Sequence, residues 1–349
     1  MTVSIIIAVK TWQKNLEECV AKCRELDTLT APNPALQGGI QAPLSINPEQ
    51  GRRIDFKDYE ILVLPDEAKG PQAADYGAFV RIIPTGVVSP GKKRDIAVKY
   101  AEGEILAYID DDVFPDKSWL KEAVKNFTDP EVAAVGGPAI TPPQDSFFKK
   151  ASGRIYESIA VSGNFRYRYT AGKRQYVDDY PSCNFLVRKS VMEETGGFNT
   201  DFWPGEDTKL CLDITKKLGK KIVYDPNALV YHHRRPVFIA HLKQIASYAL
   251  HRGYFVKRYP QTSFKAAYFI PTFFVACLFL GAAIVVFVPV MRGFYFTGLY
   301  VYFAAVLIFS ITKDIRLIPF VASGTILTHL TYGINFLIGL LSKRLKEDI

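Results

Sequence analysis

Glu104-Ile-Leu-Ala-Tyr-Ile-Asp-Asp-Asp-Val113 joins an apolar run to three carboxylates, and its reading decides the fold. An apolar run this short reads as a buried strand. In open α/β sheets ligands bind outside the carboxyl ends of the strands, so Asp110, Asp111 and Asp112 stand at a ligand-binding edge. Successive side chains alternate in direction. Asp110 and Asp112 can thus converge on one ion, with Asp111 turned elsewhere or toward the ligand. Mg2+ and Mn2+ suit such a site, because they combine one or two carboxylates with substrate phosphates.

The same rhythm extends outward. Val3 to Val9 reads as a first strand and Asn15 to Leu26 as a helix; Tyr59 to Leu64 is a second strand, and Lys92 to Ala101 a helix leading into the acidic run. Strands alternating with helices predict a mostly parallel α/β sheet flanked by helices. The stretch 28–57, rich in Pro, Gly, Gln and Asn, reads as a surface insertion.

Toward the C-terminus the composition changes. Ala267 to Met291 carries no charge, Phe294 to Ile311 is apolar and aromatic, and Leu317 to Leu341 is apolar but holds Thr325, Thr328, His329 and Asn335. A helix needs about 20 such residues to cross the hydrocarbon core. The expected organisation is a globular domain over 1–240, a basic amphipathic segment over 241–266, about three transmembrane helices over 267–341 and a basic tail over 342–349. Arg252, Lys257, Arg258 and Lys265 precede the first run, and Lys313 and Arg316 separate the second from the third. By the positive-inside rule these stretches face the cytoplasm, giving a multi-pass cytoplasmic-membrane protein whose globular domain is cytoplasmic. Lys343, Arg344 and Lys346 argue the other way if all three runs span. The start, Met1 to Lys10, lacks the features of a signal peptide.

The net charge of +8 suits contact with anionic lipid, and no basic helix or zinc module suggests nucleic acid. The five cysteines make no metal-finger spacing and read as small buried hydrophobes.

Two further segments carry chemistry. Trp203-Pro-Gly-Glu-Asp-Thr-Lys-Leu210 opens a helix with Glu206 and Asp207, which either complement the helix dipole or supply a base for a hydroxyl nucleophile. Ala228-Leu-Val-Tyr-His-His-Arg-Arg-Pro236 follows a strand and offers His232 or His233 as a further metal ligand, with arginines for phosphate.

The order of these segments resembles the family 2 glycosyltransferases, whose catalytic domain has the GT-A fold. The likeness covers roughly Val3 to Pro236. It rests on Ser4-Ile-Ile-Ile-Ala-Val9, Tyr59-Glu-Ile-Leu-Val-Leu-Pro-Asp66, Lys93-Arg-Asp-Ile-Ala-Val-Lys-Tyr-Ala-Glu-Gly-Glu104, the aspartate run as a DXD motif, Glu206-Asp207 and the His pair. The resemblance implies a metal-dependent inverting transferase that takes a nucleotide-diphosphate sugar, with Asp207 as base beside Glu206. Asp110 and Asp112 would meet the Mg2+ or Mn2+ and the diphosphate, with His232 or His233 near that metal. Asp66, Arg94 and Asp95 fall where the family recognises the nucleotide, and Ala8 and Lys10 where relatives carry Pro-x-Tyr-Asn, a departure from the pattern. Pro65 replaces one of two acids that relatives often place after the second strand. Trp203 either walls an acceptor sugar or packs under the Gly-Gly-Phe turn.

The Gln-x-x-Arg-Trp signature of processive synthases is missing, which favours transfer of a single sugar. The membrane segment points to a lipid-linked glycan or glycolipid acceptor and a role in cell-envelope glycan biosynthesis. Transfer to polyprenyl phosphate is the runner-up, and a sugar-nucleotide-binding membrane protein without turnover is the non-enzyme alternative.

Overall fold

The computed structural model describes residues 1–27, 58–68 and 79–348, and the expected insertion at 28–57 lies outside them. The chain divides into two compact units, one of Met1–Ala139 with Lys173–His232, the other of Ile140–Gly172 with His233–Ile349.

The strands in chain order are β1 (Val3–Ala8), β2 (Tyr59–Leu64), β3 (Val80–Ile82), β4 (Ile105–Asp110), β5 (Val113–Pro115), β6 (Val132–Gly136), β7 (Ala139–Ile140, at the unit boundary), β8 (Gln175–Val177), β9 (Asn184–Arg188), β10 (Lys221–Tyr224) and β11 (Val230–His232). The first unit is built on an eight-stranded sheet of order β3-β2-β1-β4-β9-β6-β10-β8. Strands β3, β2, β1 and β4 are mutually parallel, β6 and β10 are parallel, and β9 runs antiparallel between β4 and β6. Strands covered on both faces need near-continuous apolar runs. Ile5, Ile6 and Ile7 of β1 are fully buried, as are Ile61, Leu62 and Val63 of β2. Each such side chain contributes about 1.5–3 kcal/mol by leaving water.

The expected helix after β1 forms at Lys14–Arg24 and buries Leu16, Cys19, Val20 and Cys23, the spacing of one helical face. Pro90–Val98 starts cleanly, because Ser89 Oγ accepts from Lys92 N at 3.3 Å and Pro90 fills the first turn. Its inward face is out of pattern for a core helix: Lys93 and Arg94 are buried there beside Gly91 and Ala97. Deep in the unit Asn184 is fully satisfied. It accepts from Trp119 Nε1 at 2.8 Å and donates to Gly137 O at 2.7 Å and Ala228 O at 2.8 Å.

The second unit is helical. Its longer members are Phe147–Glu157, Ile239–Arg258, Ala266–Phe287, Arg292–Phe309 and Ile318–Leu341. Three stretches, Ala266–Phe287, Pro289–Phe309 and Ile315–Leu341, are long and apolar enough to cross a membrane. Two glycines let the Ile239–Arg258 and Ile318–Leu341 helices touch backbone to backbone. A Cβ on Gly253 would lie 2.0 Å from Phe336 O, and one on Gly339 would lie 1.9 Å from Leu250 O.

Candidate active site

The parallel register brings the first site residues together. Ala8, the last residue of β1, pairs with Leu64 on one side and Asp110 on the other, so three strands end at one level. Beyond them the Asp66 amide donates to Lys10 O at 3.1 Å. The Lys93 ammonium, 3% exposed, reaches this edge from below: it meets Asp66 Oδ1 at 2.5 Å and donates to Val9 O at 2.8 Å and Leu64 O at 3.2 Å. A buried ammonium needs a full set of oxygen partners. This one has them, and in return it ties the ends of β1 and β2 to Asp66.

The next residue on the helix does the same for the acidic run. Arg94 Nη2 donates to Asp110 Oδ1 at 2.8 Å and Arg94 Nη1 to Glu206 Oε1 at 2.6 Å. Burial opposes the charge on Arg94, but Asp110 and Glu206 outweigh it and raise the pKa above the ordinary arginine value. The guanidinium also lies 5.6 Å from the centre of the Phe198 ring. Glu206 is 4% exposed, and its second oxygen accepts from Gly205 N at 3.1 Å. Asp207, partly exposed, faces differently: Oδ1 accepts from Thr208 N at 2.8 Å and Oδ2 from Ser182 N at 3.3 Å. The two adjacent carboxylates thus differ in burial, Glu206 being enclosed with Arg94 and Asp207 partly exposed.

The three aspartates are likewise divided. Asp110 faces Arg94. Asp111 accepts from Gln13 Nε2, and burial together with the neighbouring Asp112 and Asp110 pushes its carboxyl up to about 6. Asp112 is 7% exposed and lies with Oδ1 3.3 Å from His232 Nε2. Antiparallel pairing of β5 with β11 sets this contact, because it places His232 opposite Val113. His233 belongs to the second unit, where its Nδ1 lies 2.6 Å from Asp145 Oδ1.

Asp95 takes a different place. Its carboxylate accepts from Phe198 N at 2.8 Å and Asn199 N at 3.2 Å, and burial raises its pKa despite those bonds. It clasps the turn after the Lys189–Thr195 helix, where Gly197 at φ 80° has no room for a Cβ beside it. Trp203 is 57% exposed.

Among the described residues no three His, Cys, Asp or Glu side chains form a ready-made metal cage. Asp112 with His232 nevertheless offers one carboxylate and one imidazole side by side. That donor set suits an ion whose remaining ligands are phosphate and water. Lys93, Gln13 and Ser182 have no role in the motif reading. Lys93 had a signal, since a Lys-Arg pair on the apolar side of a helix is unusual; nothing in the sequence marks Gln13 or Ser182.

The family model described as Glycosyl transferase family 2 matches residues 4–196, and the one described as Glycosyl transferase family group 2 matches residues 105–312. The chain is similar to the pre-mycofactocin glycosyltransferase of Mycobacterium tuberculosis, at 26% identity over 234 residues, which are 67% of this chain and 43% of that protein. It therefore spans less than half the length of that relative. It is also similar to glycosyltransferase AglE of Haloferax volcanii, at 22% identity over 244 residues and 67% of each chain. Among solved structures, the mannosyltransferase PcManGT from Pyrobaculum calidifontis, in complex with GDP-Man and Mn2+, shares the fold with a TM-score of 0.52 at 15% identity, over 98% of this chain and 88% of that one.

Proposed function

The chain belongs to glycosyl transferase family 2, with the mixed α/β core of the GT-A type, and on that premise we propose that it is a membrane-anchored inverting transferase. It moves one sugar from a nucleotide-diphosphate donor to a hydroxyl of a lipid-linked glycan or glycolipid.

The observation that supports this reading is the difference in burial between Glu206 and Asp207. Glu206 is held in the ion pair with Arg94, while Asp207 keeps a partly exposed carboxylate at the start of the same helix. A positioned carboxylate can take the proton of a hydroxyl as it attacks. Asp207 does so here: the acceptor oxygen bonds to the anomeric carbon, the proton passes to a carboxylate oxygen of Asp207, and the nucleoside diphosphate departs from the opposite face with inversion. Arg94 holds Asp110 and Glu206 at fixed positions, and Lys93 holds Asp66 at the nucleotide end.

Asp112 and His232 are the residues that would hold a divalent metal, Mg2+ or Mn2+. Bound there, it would supply positive charge to the leaving diphosphate. Mn2+ in the distant mannosyltransferase is consistent with this assignment.

The test is a panel of sugar nucleotides offered to the purified protein with Mg2+ or Mn2+. One donor class should show metal-dependent transfer or slow hydrolysis, and Asp112→Asn should need more metal to show it. Unchanged metal-dependent turnover in that variant overturns the site, and equal transfer to soluble and lipid-linked acceptors overturns the acceptor class.

A further inference from the structure

The three apolar helices are alike in length but not in surroundings. In the most apolar windows of Ala266–Phe287 and Pro289–Phe309 only 6% of the residues are buried, against 33% in Ile315–Leu341. Large apolar side chains stand exposed around the first two, among them Phe273, Phe279, Ile284, Phe294, Tyr300 and Leu307. These helices are finished only when lipid covers them.

Ile318–Leu341 is instead packed against other helices on one side, largely through apolar groups. Its first half lies against Phe147–Glu157: Phe147 and Phe148 pack edge-on to Phe320 at 5.3 and 5.5 Å, and a Cβ on Gly324 would lie 2.4 Å from Ile155. From its midpoint onward it runs parallel to Ile239–Arg258. His241 Nε2 meets Thr328 Oγ1 at 2.9 Å, Gly253 abuts Phe336, Leu250 abuts Gly339, and Lys257 Nζ donates to Ser342 O at 2.6 Å. Contacts that climb both helices together mean that the two share every depth.

We infer that Ile318–Leu341 does not cross the bilayer but lies along its surface, with Ile239–Arg258 and Phe147–Glu157 packed on its water side. Ala266–Phe287 and Arg292–Phe309 then form a two-pass hairpin. If Ile318–Leu341 spanned, Lys243 would enter the hydrocarbon near the bilayer centre, because it is exposed and lies two residues from His241, the partner of the midpoint residue Thr328. Arg154, with its side chain 49% exposed, and its partner Glu157 would follow at the level of Gly324. Charges at that depth are among the costliest placements in a membrane. On the surface they stay in water, while the exposed stripe Leu327, Ile334, Ile338 and Leu341 meets the acyl boundary.

The charge pattern agrees independently. With two spans, Lys265, Lys313, Arg316 and the tail residues Lys343, Arg344 and Lys346 all lie on one side of the membrane, and Arg292 alone lies on the other. With three, the tail crosses to the side of Arg292. The positive-inside rule favours the first arrangement.

Single cysteines at the exposed positions Arg292, Lys313 and Arg344 of the full chain test this, with a membrane-impermeant maleimide on sealed vesicles and wild type as the blank. Lys313→Cys and Arg344→Cys should react from the same face and Arg292→Cys from the opposite one; reaction of Arg344→Cys from the face of Arg292 overturns the inference. A fluorophore on Ile334→Cys should be quenched more by headgroup nitroxide lipids than by mid-chain ones, and one on Phe279→Cys, near the middle of Ala266–Phe287, the reverse. Stronger mid-chain quenching at 334, or none from either lipid, overturns it as well. Both readouts are independent of turnover, so they stand or fall apart from the sugar-transfer reading.

Discussion

Arg94 and Glu206 form a buried ion pair, Nη1 to Oε1 at 2.6 Å, with side chains 4% and 5% exposed. The partners come from helices more than a hundred residues apart, and the same guanidinium bonds Asp110. Removing one member of such a pair leaves a buried charge uncompensated, a loss of about 3–5 kcal/mol. Arg94→Met is therefore expected to lower the unfolding temperature sharply, since it leaves both Asp110 and Glu206 unmatched. Arg94→Lys keeps the charge but lacks the planar fork to bridge two carboxylates, so it should recover part of the stability and little activity. Thermal unfolding in detergent beside donor hydrolysis checks both, and wild-type stability in Arg94→Met would refute the pairing.

Asp207 predicts the opposite combination. Its replacement by Asn preserves shape and removes only the basic oxygen. Asp207→Asn should fold and bind donor like wild type while transfer falls by about 10²–10⁴-fold, the range for a lost general base. Turnover measured beside donor affinity separates the two effects. Weakened donor binding with unchanged turnover would move Asp207 out of the base role.

Asp112 and His232 should act as one unit. Loss of a group that merely supports a metal ligand lowers affinity about 10–100-fold, so loss of a direct ligand should do at least as much. Asp112→Asn and His232→Ala are each expected to raise the Mn2+ concentration needed for half-maximal activity by about tenfold or more, and the double variant to add little. Chelation of the wild type should abolish turnover, with recovery on adding Mn2+. An unchanged metal response in His232→Ala would leave Asp112 without its neighbour's help.

Much of this arrangement was legible because it is local. The apolar run before Asp110 could be nothing but a strand of this sheet, and the helix opening at Glu206 begins where its carboxylates suggested. What could not be read was pairing across the fold. Alternation along a strand says that Asp110 and Asp112 share a side; it cannot say that Arg94 occupies Asp110 or that β5 would meet β11 and bring His232 to Asp112. The two histidines were indistinguishable by sequence because they are adjacent; the end of a strand separates them. The third apolar helix shows the same limit. Hydropathy counts side chains and is blind to what packs against them, and its polar members Thr328 and His329 are engaged by His241, Tyr302 and Ala160 O.

His241 makes the second unit sensitive to acid. It is fully buried, with Nδ1 2.8 Å from Ser152 Oγ and Nε2 2.9 Å from Thr328 Oγ1, and the Tyr156 ring 5.0 Å away. Burial, and after it the positive charge of Arg234, lowers its pKa to about 4. Because the folded value lies below the ordinary one near 6.5, the unfolded chain takes up a proton that the folded unit refuses. The stability this residue contributes is full above pH 6.5 or so and is lost as the pH falls toward 4. Between pH 7 and 5 the loss should come to about 2 kcal/mol. Glu157, whose pKa burial raises, works in the opposite direction over the lower part of that range, so the comparison must be made within one background. His241→Gln keeps hydrogen-bonding capacity and cannot titrate. Its stability should fall less steeply than that of wild type between pH 7 and 5, and parallel pH profiles for the two would show that another group carries the acid response.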